Sequence, residues 1–281
     1  MAGKNKEIKL LFIGDISTKV GRRIIRDVVP GLKEQEKIDL VIANAENAAG
    51  GRGVTREILN ELQSYGIDYF TTGEHVWDIA EFRTDLLDES LPLTRPYNYE
   101  ANIELPGKGW ATIDLGSKGK VIVGNFIGQV FMRDPVRNPF WFFDEFYNEL
   151  KEKFGKELDD IPIVIDFHAE ATAEKISFGW YVKDKVAAVF GTHTHVGTVD
   201  TRILGREDNE WGCAFVSDVG MCGPRDASLW ASFDSIIHNF KYPYKKSFKA
   251  EKSGRRVFNS VLVEIENNFA KKISRIDRIL S

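Results

Sequence analysis

Cysteine is scarce: the 281 residues contain only Cys213 and Cys222. Two thiols exclude a disulfide framework and a cysteine-based zinc module, and they fit a reducing compartment. Neither sign of charge prevails, since 38 Lys+Arg oppose 42 Asp+Glu for a net charge of −4. That balance excludes a nucleic-acid binder driven by bulk positive charge and an acidic disordered chain. Long apolar runs are missing too. The polar start, Met1 to Glu7, leads into Ile8–Gly14, and Asp15 ends that run at once. Such a run is too short for a signal segment or a membrane span, so the expectation is a cytoplasmic protein without a membrane partner. At 43% hydrophobic and 28% charged residues the chain can bury a core in one large domain or two modest ones. No repeat, low-complexity tract or linker divides it.

Short runs of Ile, Val, Leu and Phe recur at Ile8–Gly14, Asp39–Ala43, Tyr69–Thr72, Val121–Asn125, Ile161–Phe167, Val186–Gly191 and Ala214–Ser217. Uninterrupted runs of this length predict strands buried on both faces. Helical spacing lies between them. Arg22–Lys37 puts Ile24, Ile25, Val28, Val29 and Leu32 on one side, with Pro30 expected to kink or shorten it. Thr55–Tyr65 opens on half a capping box, and the aromatic-rich Phe140–Phe154 stops at Gly155. Strand then helix, repeated, predicts an α/β layer architecture. Phe258–Glu266 alternates and predicts the first arm of a terminal hairpin. The threefold spacing of Ile273, Ile276 and Ile279 suits a second arm or a helix.

Chemistry-bearing residues gather where the predicted strands end. Asp15 follows the first, Glu46 and Asn47 the second, Glu74 and His75 the third, His168 the fifth, and His193 and His195 the sixth. Four of the five histidines and three carboxylates therefore fall at carboxyl ends of strands, the ligand-binding edge of an open α/β sheet. His, Asp and Glu are the side chains that hold first-row transition metals. Asp15, Glu46, Asn47, Glu74, His168, His193 and His195 are too many donors for one ion with an open position, and so point to two. Two ions about 3.5–4 Å apart, sharing a carboxylate and a water, would clamp the attacking and leaving oxygens of a phosphate ester. Such a site makes hydroxide at neutral pH without a serine or cysteine nucleophile. His75, next to Glu74, is then the candidate proton donor to the leaving oxygen. In Thr192-His-Thr-His195 an extended backbone would point both imidazoles the same way.

Taken singly, each of these has a plainer reading. Asp15 could cap a helix, Asn47 could serve the turn Gly50–Gly53, and a lone histidine such as His238 is more often a packed residue than a ligand. The Gly50–Gly53 loop lacks a phosphate-loop lysine, so turn geometry is expected of it. Lys241–Arg256 holds seven basic residues, one acidic residue and three aromatics. It reads as a solvated connection more than an RNA contact. Phe140–Phe146 fits core, lid or interface. Asp218, Arg225 and Asp226 could orient ligands, meet a phosphate or form a structural pair. Recurrence at five strand ends decides for a metal site.

Leu-Phe-Ile-Gly-Asp15, Asn44-Ala-Glu-Asn-Ala-Ala49, Gly73-x-His75, Asp166-Phe-His-Ala-Glu-Ala-Thr172, Gly191-Thr-His-Thr-His195 and Ser217-Asp-Val-Gly-Met-x-Gly-Pro224 resemble the ordered motifs of the calcineurin-like metallophosphoesterases. The nearer resemblance is to their bacterial YmdB-type branch. It implies a four-layer αββα sandwich and two metal ions per chain, with iron first and manganese or zinc as alternatives; with no linker to split it, the chain is expected to form one domain over residues 1–281. Carried over by position, Asp15, Asn47 and His195 would hold the first ion and Glu46 would bridge. His168, His193 and the residue at 74 would hold the second, with His75 as proton donor. The resemblance also implies hydrolysis of small phosphodiesters such as 2′,3′-cyclic nucleotides, and a homo-oligomer. One rival is a regulatory metal- or nucleotide-binding protein with weak turnover. A metal amidohydrolase is disfavoured because His-x-His comes late in the chain.

The family motif has Asn where this chain has Glu74. With Asn there, two divalent ions, a bridging hydroxide and ionised Asp15 and Glu46 leave one net positive charge, which an ionised Glu74 cancels. A neutral site attracts an anionic phosphate less and holds its cations more tightly. Glu74→Asn is therefore expected to change metal content or phosphodiesterase rate; identical values for both in wild type and variant would contradict this.

Overall fold

The computed structural model describes residues 7–99, 104–205 and 211–281. The polar N-terminal stretch lies outside them up to residue 6. From the start run β1 (Ile8–Ile13), β2 (Asp15–Ile16), α1 (Thr18–Glu36), β3 (Leu40–Asn44), α2 (Arg56–Ser64), β4 (Tyr69–Thr71) and the short α3 (Phe82–Asp85). Next come β5 (Trp110–Asp114), β6 (Lys120–Ile127), α4 (Pro139–Phe154), β7 (Ile163–His168), α5 (Thr172–Val182), β8 (Ala188–Thr192), β9 (Arg202–Gly205) and β10 (Gly212–Val216). The last part holds β11 (Met221–Pro224), α6 (Phe233–Lys241), β12 (Arg256–Phe258), β13 (Ser260–Glu266), β14 (Phe269–Arg275) and β15 (Arg278–Leu280).

The main sheet has the order β4-β3-β1-β13-β14-β10-β8-β7-β6-β5, with β9 on the edge of β10. Among the described residues its two halves meet at one ladder pair, Gly212 with Ala270. One half carries parallel β4, β3 and β1, the other parallel β10, β8, β7 and β6. The sheet folds over on itself about this join, and the side chains record the result. On β1, Leu11 and Ile13 join Ile24, Ile25 and Leu32 of α1 and Leu59 and Leu62 of α2. The alternate residues Leu10 and Phe12 face the other half, among Val164, Ala188, Phe190 and Val216. Phe12 stacks on Phe190 across this middle layer, with centroids 4.4 Å apart. On the far side Phe126, Ile165, Phe167 and Val189 pack against Phe143 and Phe146 of α4 and Phe178 of α5. The layers are thus helix, sheet, sheet, helix, as the resemblance implies. Burial on both faces explains the uninterrupted apolar runs.

Pro30 does not shorten α1, which runs from Thr18 to Glu36 with the proline inside it. The ring sits on the exposed side, while Ile24, Ile25, Val28, Val29 and Leu32 are buried. Roughly 1.5–3 kcal/mol per buried aliphatic side chain outweighs the roughly 3 kcal/mol cost of an interior proline. Thr55 caps α2, its side chain accepting from Ile58 N, and α4 ends at Gly155. The terminal hairpin forms as β13 and β14, so the isoleucine spacing belongs to strands. Most of the aromatic run of α4 is core, with Phe142, Phe143 and Phe146 buried and Trp141 exposed. Cys213 and Cys222 are both buried and unpaired. The connection from Tyr242 to Lys249 is exposed, as expected of a solvated segment. No helix among the described residues is long and apolar enough to cross a membrane.

Close backbone approach ties the strand ends together. A Cβ on Gly191 would lie 1.8 Å from Ser217 O, whereas one on Gly31, exposed in α1, would meet nothing within 4 Å. Gly191→Ala should destabilise by at least about 2 kcal/mol and lower the melting temperature by roughly 4–8 °C. Gly31→Ala should stabilise by up to about 1 kcal/mol. Thermal unfolding of the two variants checks this, and equal shifts would contradict the packing described.

Candidate metal centre

Parallel strands of both halves deliver their carboxyl ends to one place. Asp15 is fully buried on β2, where its backbone pairs with Met221 of β11. Glu46 and Asn47 follow β3. Gly73 follows β4 and brings its backbone so close to the site that a Cβ would lie 2.3 Å from His168 Nε2 and 2.4 Å from Glu46 Oε2. The turn Glu74–Trp77 then carries Glu74 and His75. His168 ends β7, and His193 to His195 leave β8.

Two groups of donors result, and Glu46 belongs to the second while directly preceding Asn47 of the first in the chain. In the first, His195 Nε2 lies 3.2 Å from Asn47 Oδ1 and 3.7 Å from Asp15 Oδ1. Asn47 is oriented by its amide, which donates to Gly51 O at 2.9 Å and so turns Oδ1 toward His195. The glycine-rich turn and the site share this one side chain. In the second group, His168 Nε2 is 3.1 Å from Glu46 Oε1 and 3.1 Å from Glu74 Oε2, and 3.0 Å from His193 Nδ1. One donor atom from each of Glu46, Glu74, His168 and His193 falls within 4.8 Å of all the others.

The backbone separates the two imidazoles of the His-x-His segment, which corrects the expectation of an extended run. Strand β8 ends at Thr192, and His193 and His195 both take left-handed φ, 97° and 64°. His193 consequently joins His168 and Glu74, while His195 joins Asn47 and Asp15. Asp218 holds this unfavourable backbone in place: its Oδ2 accepts from Thr194 N (3.1 Å), Thr194 Oγ1 (2.8 Å) and buried Lys175 Nζ (2.7 Å). Asp15 Oδ2 accepts from His193 N at 3.2 Å. Asp218 is therefore an orienting group, while Asp226 forms an exposed ion pair with Arg255.

Sequence reasoning gave no role to Asp166 or Thr192. Asp166 is buried and accepts from Asn44, Thr71 and Thr192, and Thr192 Oγ1 in turn lies 2.8 Å from His168 Nδ1. Because the Thr192 hydroxyl donates to Asp166, its oxygen accepts from His168 Nδ1–H, which leaves Nε2 to face the carboxylates. A carboxylate inside the apolar run Ile163–Phe167, two residues before His168 and so on the same strand face, was the available signal.

Electrostatics suit a cation. The ion-pair partners of Asp15, Glu46 and Glu74 are imidazoles. Burial raises the Asp15 carboxyl well above its ordinary range. Burial also opposes ionisation of Glu46 and Glu74, but the adjacent His168 imidazole prevails and holds both low. His168 is raised correspondingly, its burial outweighed by Glu46 and then Glu74. Burial pulls His195 down to about 4 and lowers His193, to which the charge on His168 adds. Asp15 Oδ1 and His195 Nδ1 are buried without a hydrogen bond. Imidazoles held toward the neutral form, buried carboxylates gathered around them and lone pairs without donors form a set that fits metal ions.

These residues and their order decide the family. The chain belongs to the YmdB-like protein family, whose profile matches residues 11–279. A 2′,3′-cyclic-nucleotide 2′-phosphodiesterase of Bacillus subtilis is 37% identical over 273 residues, covering 97% of each chain. The crystal structure of a phosphatase from Mycoplasma pneumoniae superposes with a TM-score of 0.87 at 30% identity, covering 98% of this chain and 94% of the other. The NAD nucleotidase of Haemophilus influenzae shares the fold alone, at 12% identity and a TM-score of 0.61 over 99% of this chain and 57% of its own. The YmdB-like chain thus has a fold of the metallophosphoesterase type.

In this family frame Asp218 has a measurable duty. Asp218→Asn should weaken metal retention about 10–100-fold by releasing Thr194 between the two histidines. Competition with a chelator measures it; unchanged retention would contradict an orienting role.

Proposed function

We propose that the chain is a phosphoric diester hydrolase with two metal ions, acting on small phosphodiesters such as 2′,3′-cyclic nucleotides. The observation carrying this reading is the pair of donor groups about Glu46. Asp15, Asn47 and His195 would hold one ion, Glu74, His168 and His193 the other, and Glu46 both. Iron is the first expectation, with manganese or zinc as alternatives. Bound there, the ions would polarise a phosphoryl oxygen and make water nucleophilic at neutral pH. The B. subtilis relative's name supports the substrate class, and buried free cysteines suit a cytoplasmic setting.

The protein's own part is to position and to move a proton. The His75 backbone N–H donates to Glu46 Oε2 at 3.1 Å, which fixes the turn against the shared carboxylate. Its ring Nδ1 lies 2.9 Å from Asp78 Oδ2. With that carboxylate accepting from Nδ1–H, Nε2 carries the proton to the departing oxygen. Among the described residues the His75 ring pairs with Asp78, whereas His168 and His193 pair with each other and with Glu74, so His75 is the imidazole left for this work.

Metal analysis coupled to hydrolysis of bis-p-nitrophenyl phosphate and 2′,3′-cyclic AMP tests the assignment. Near two metals per chain are expected. His75→Ala should keep them and lose at least about 100-fold in rate. Full activity in that variant would remove His75 from the mechanism. A metal-loaded wild type that turns over neither substrate would move the assignment to a regulatory metal-binding protein.

A further inference from the structure

Between β6 and α4 the chain crosses the rim of the site. It leaves β6 beside His168, whose carbonyl accepts from Gly128 N at 2.9 Å. The Glu174 carboxylate then takes the amides of Gln129 and Val130, at 2.8 and 3.1 Å. Farther on, Met132 and Trp77 pack on the buried cluster of Tyr99, Ile127 and Val136. The Arg133 guanidinium comes within 3.8 Å of Asp78, the carboxylate that holds His75. This loop is thereby tied to the His168 strand at one end and to the His75 turn at the other.

Phe131 stands between these anchors with 86% of its surface exposed. Its φ of 64° is in the left-handed region, which is unfavourable for a residue with a side chain. Neither the exposed ring nor the backbone is compensated by burial, although Met132 beside it is packed. Phe131 is two residues from Arg133, at most about 7 Å of extended chain. A nucleobase sits one sugar away from the phosphorus of a ribonucleotide phosphodiester. A ring on a loop that Arg133 and Met132 tie to the His75 turn is suited to meet that base, and stacking accepts any base because every base has a π-face.

We propose that Phe131 is a stacking platform for the nucleobase of the substrate and sets a preference for nucleotide phosphodiesters over simple ones. The proposal rests on the phosphodiesterase reading and adds the part of the substrate that the metal centre does not touch.

Steady-state kinetics of the metal-loaded protein on 2′,3′-cyclic AMP and on glycerol 1,2-cyclic phosphate test it, since both offer a five-membered cyclic phosphodiester and only one carries a base. Phe131→Ala should lower kcat/KM on the nucleotide by roughly 5- to 100-fold and leave the glycerol ester unchanged. Phe131→Trp should preserve the preference. Equal losses on both esters, or no loss on either, would overturn the proposal. Calorimetric binding of adenosine 3′-monophosphate to the same proteins separates the two readings. If wild type hydrolyses neither ester but binds the nucleotide in a Phe131-dependent way, stacking stands and the hydrolase assignment falls. If binding too is indifferent to Phe131, stacking falls.

Discussion

Three buried carboxylates, Asp15, Glu46 and Glu74, have imidazoles as their ion-pair partners among the described residues. Removing ionised carboxylates from water costs several kcal/mol each unless a partner compensates. Here His168 supplies the compensation, standing 3.1 Å from both Glu46 and Glu74 and raised by them. A proton on one ring is a small counter-charge for that cluster, and divalent ions are the natural replacement. The rest of the site is arranged to keep the remaining nitrogens neutral and aimed inward.

The fold makes this arrangement possible by turning one sheet over on itself. Both halves end their parallel strands on the same edge, so residues far apart in sequence converge there, as in His193 N reaching Asp15 Oδ2. Glycines without Cβ atoms let the strand ends touch. Buried Asp166 and Asp218 then orient what the strands deliver, the first through Thr192 to His168 and the second through Thr194 to the two histidines. Lys175 neutralises Asp218 within the protein, so that Asp218 orients Thr194 without adding an unpaired charge to the site.

Much of this was legible in the sequence because burial on both sheet faces leaves uninterrupted apolar runs, and a polar residue at the end of such a run is conspicuous. That rule located Asp15, Glu46, Asn47, Glu74, His75, His168, His193 and His195 at five strand ends, all of which lie along one edge. Short strands escaped it: β2, β11, β12 and β15 pair over two to four residues and carry no period worth reading. The local backbone was hidden as well. Thr-His-Thr-His suggests a strand by composition, and only the contacts of Asp218 and Asp15 reveal why it turns left-handed and parts its two imidazoles. Pro30 does not shorten α1, since the buried face of that helix is worth more than the hydrogen bond the proline forfeits. Asp166 lay inside an apolar run, where its chemistry could have been suspected from its place two residues before His168.

Anomalous diffraction from crystals of the manganese-loaded protein tests the central claim most directly. Two peaks about 3.5–4 Å apart are expected. One should contact Asp15, Asn47 and His195, the other Glu74, His168 and His193, and Glu46 should contact both. A single peak, or ions bound away from Glu46, would contradict a shared two-metal centre.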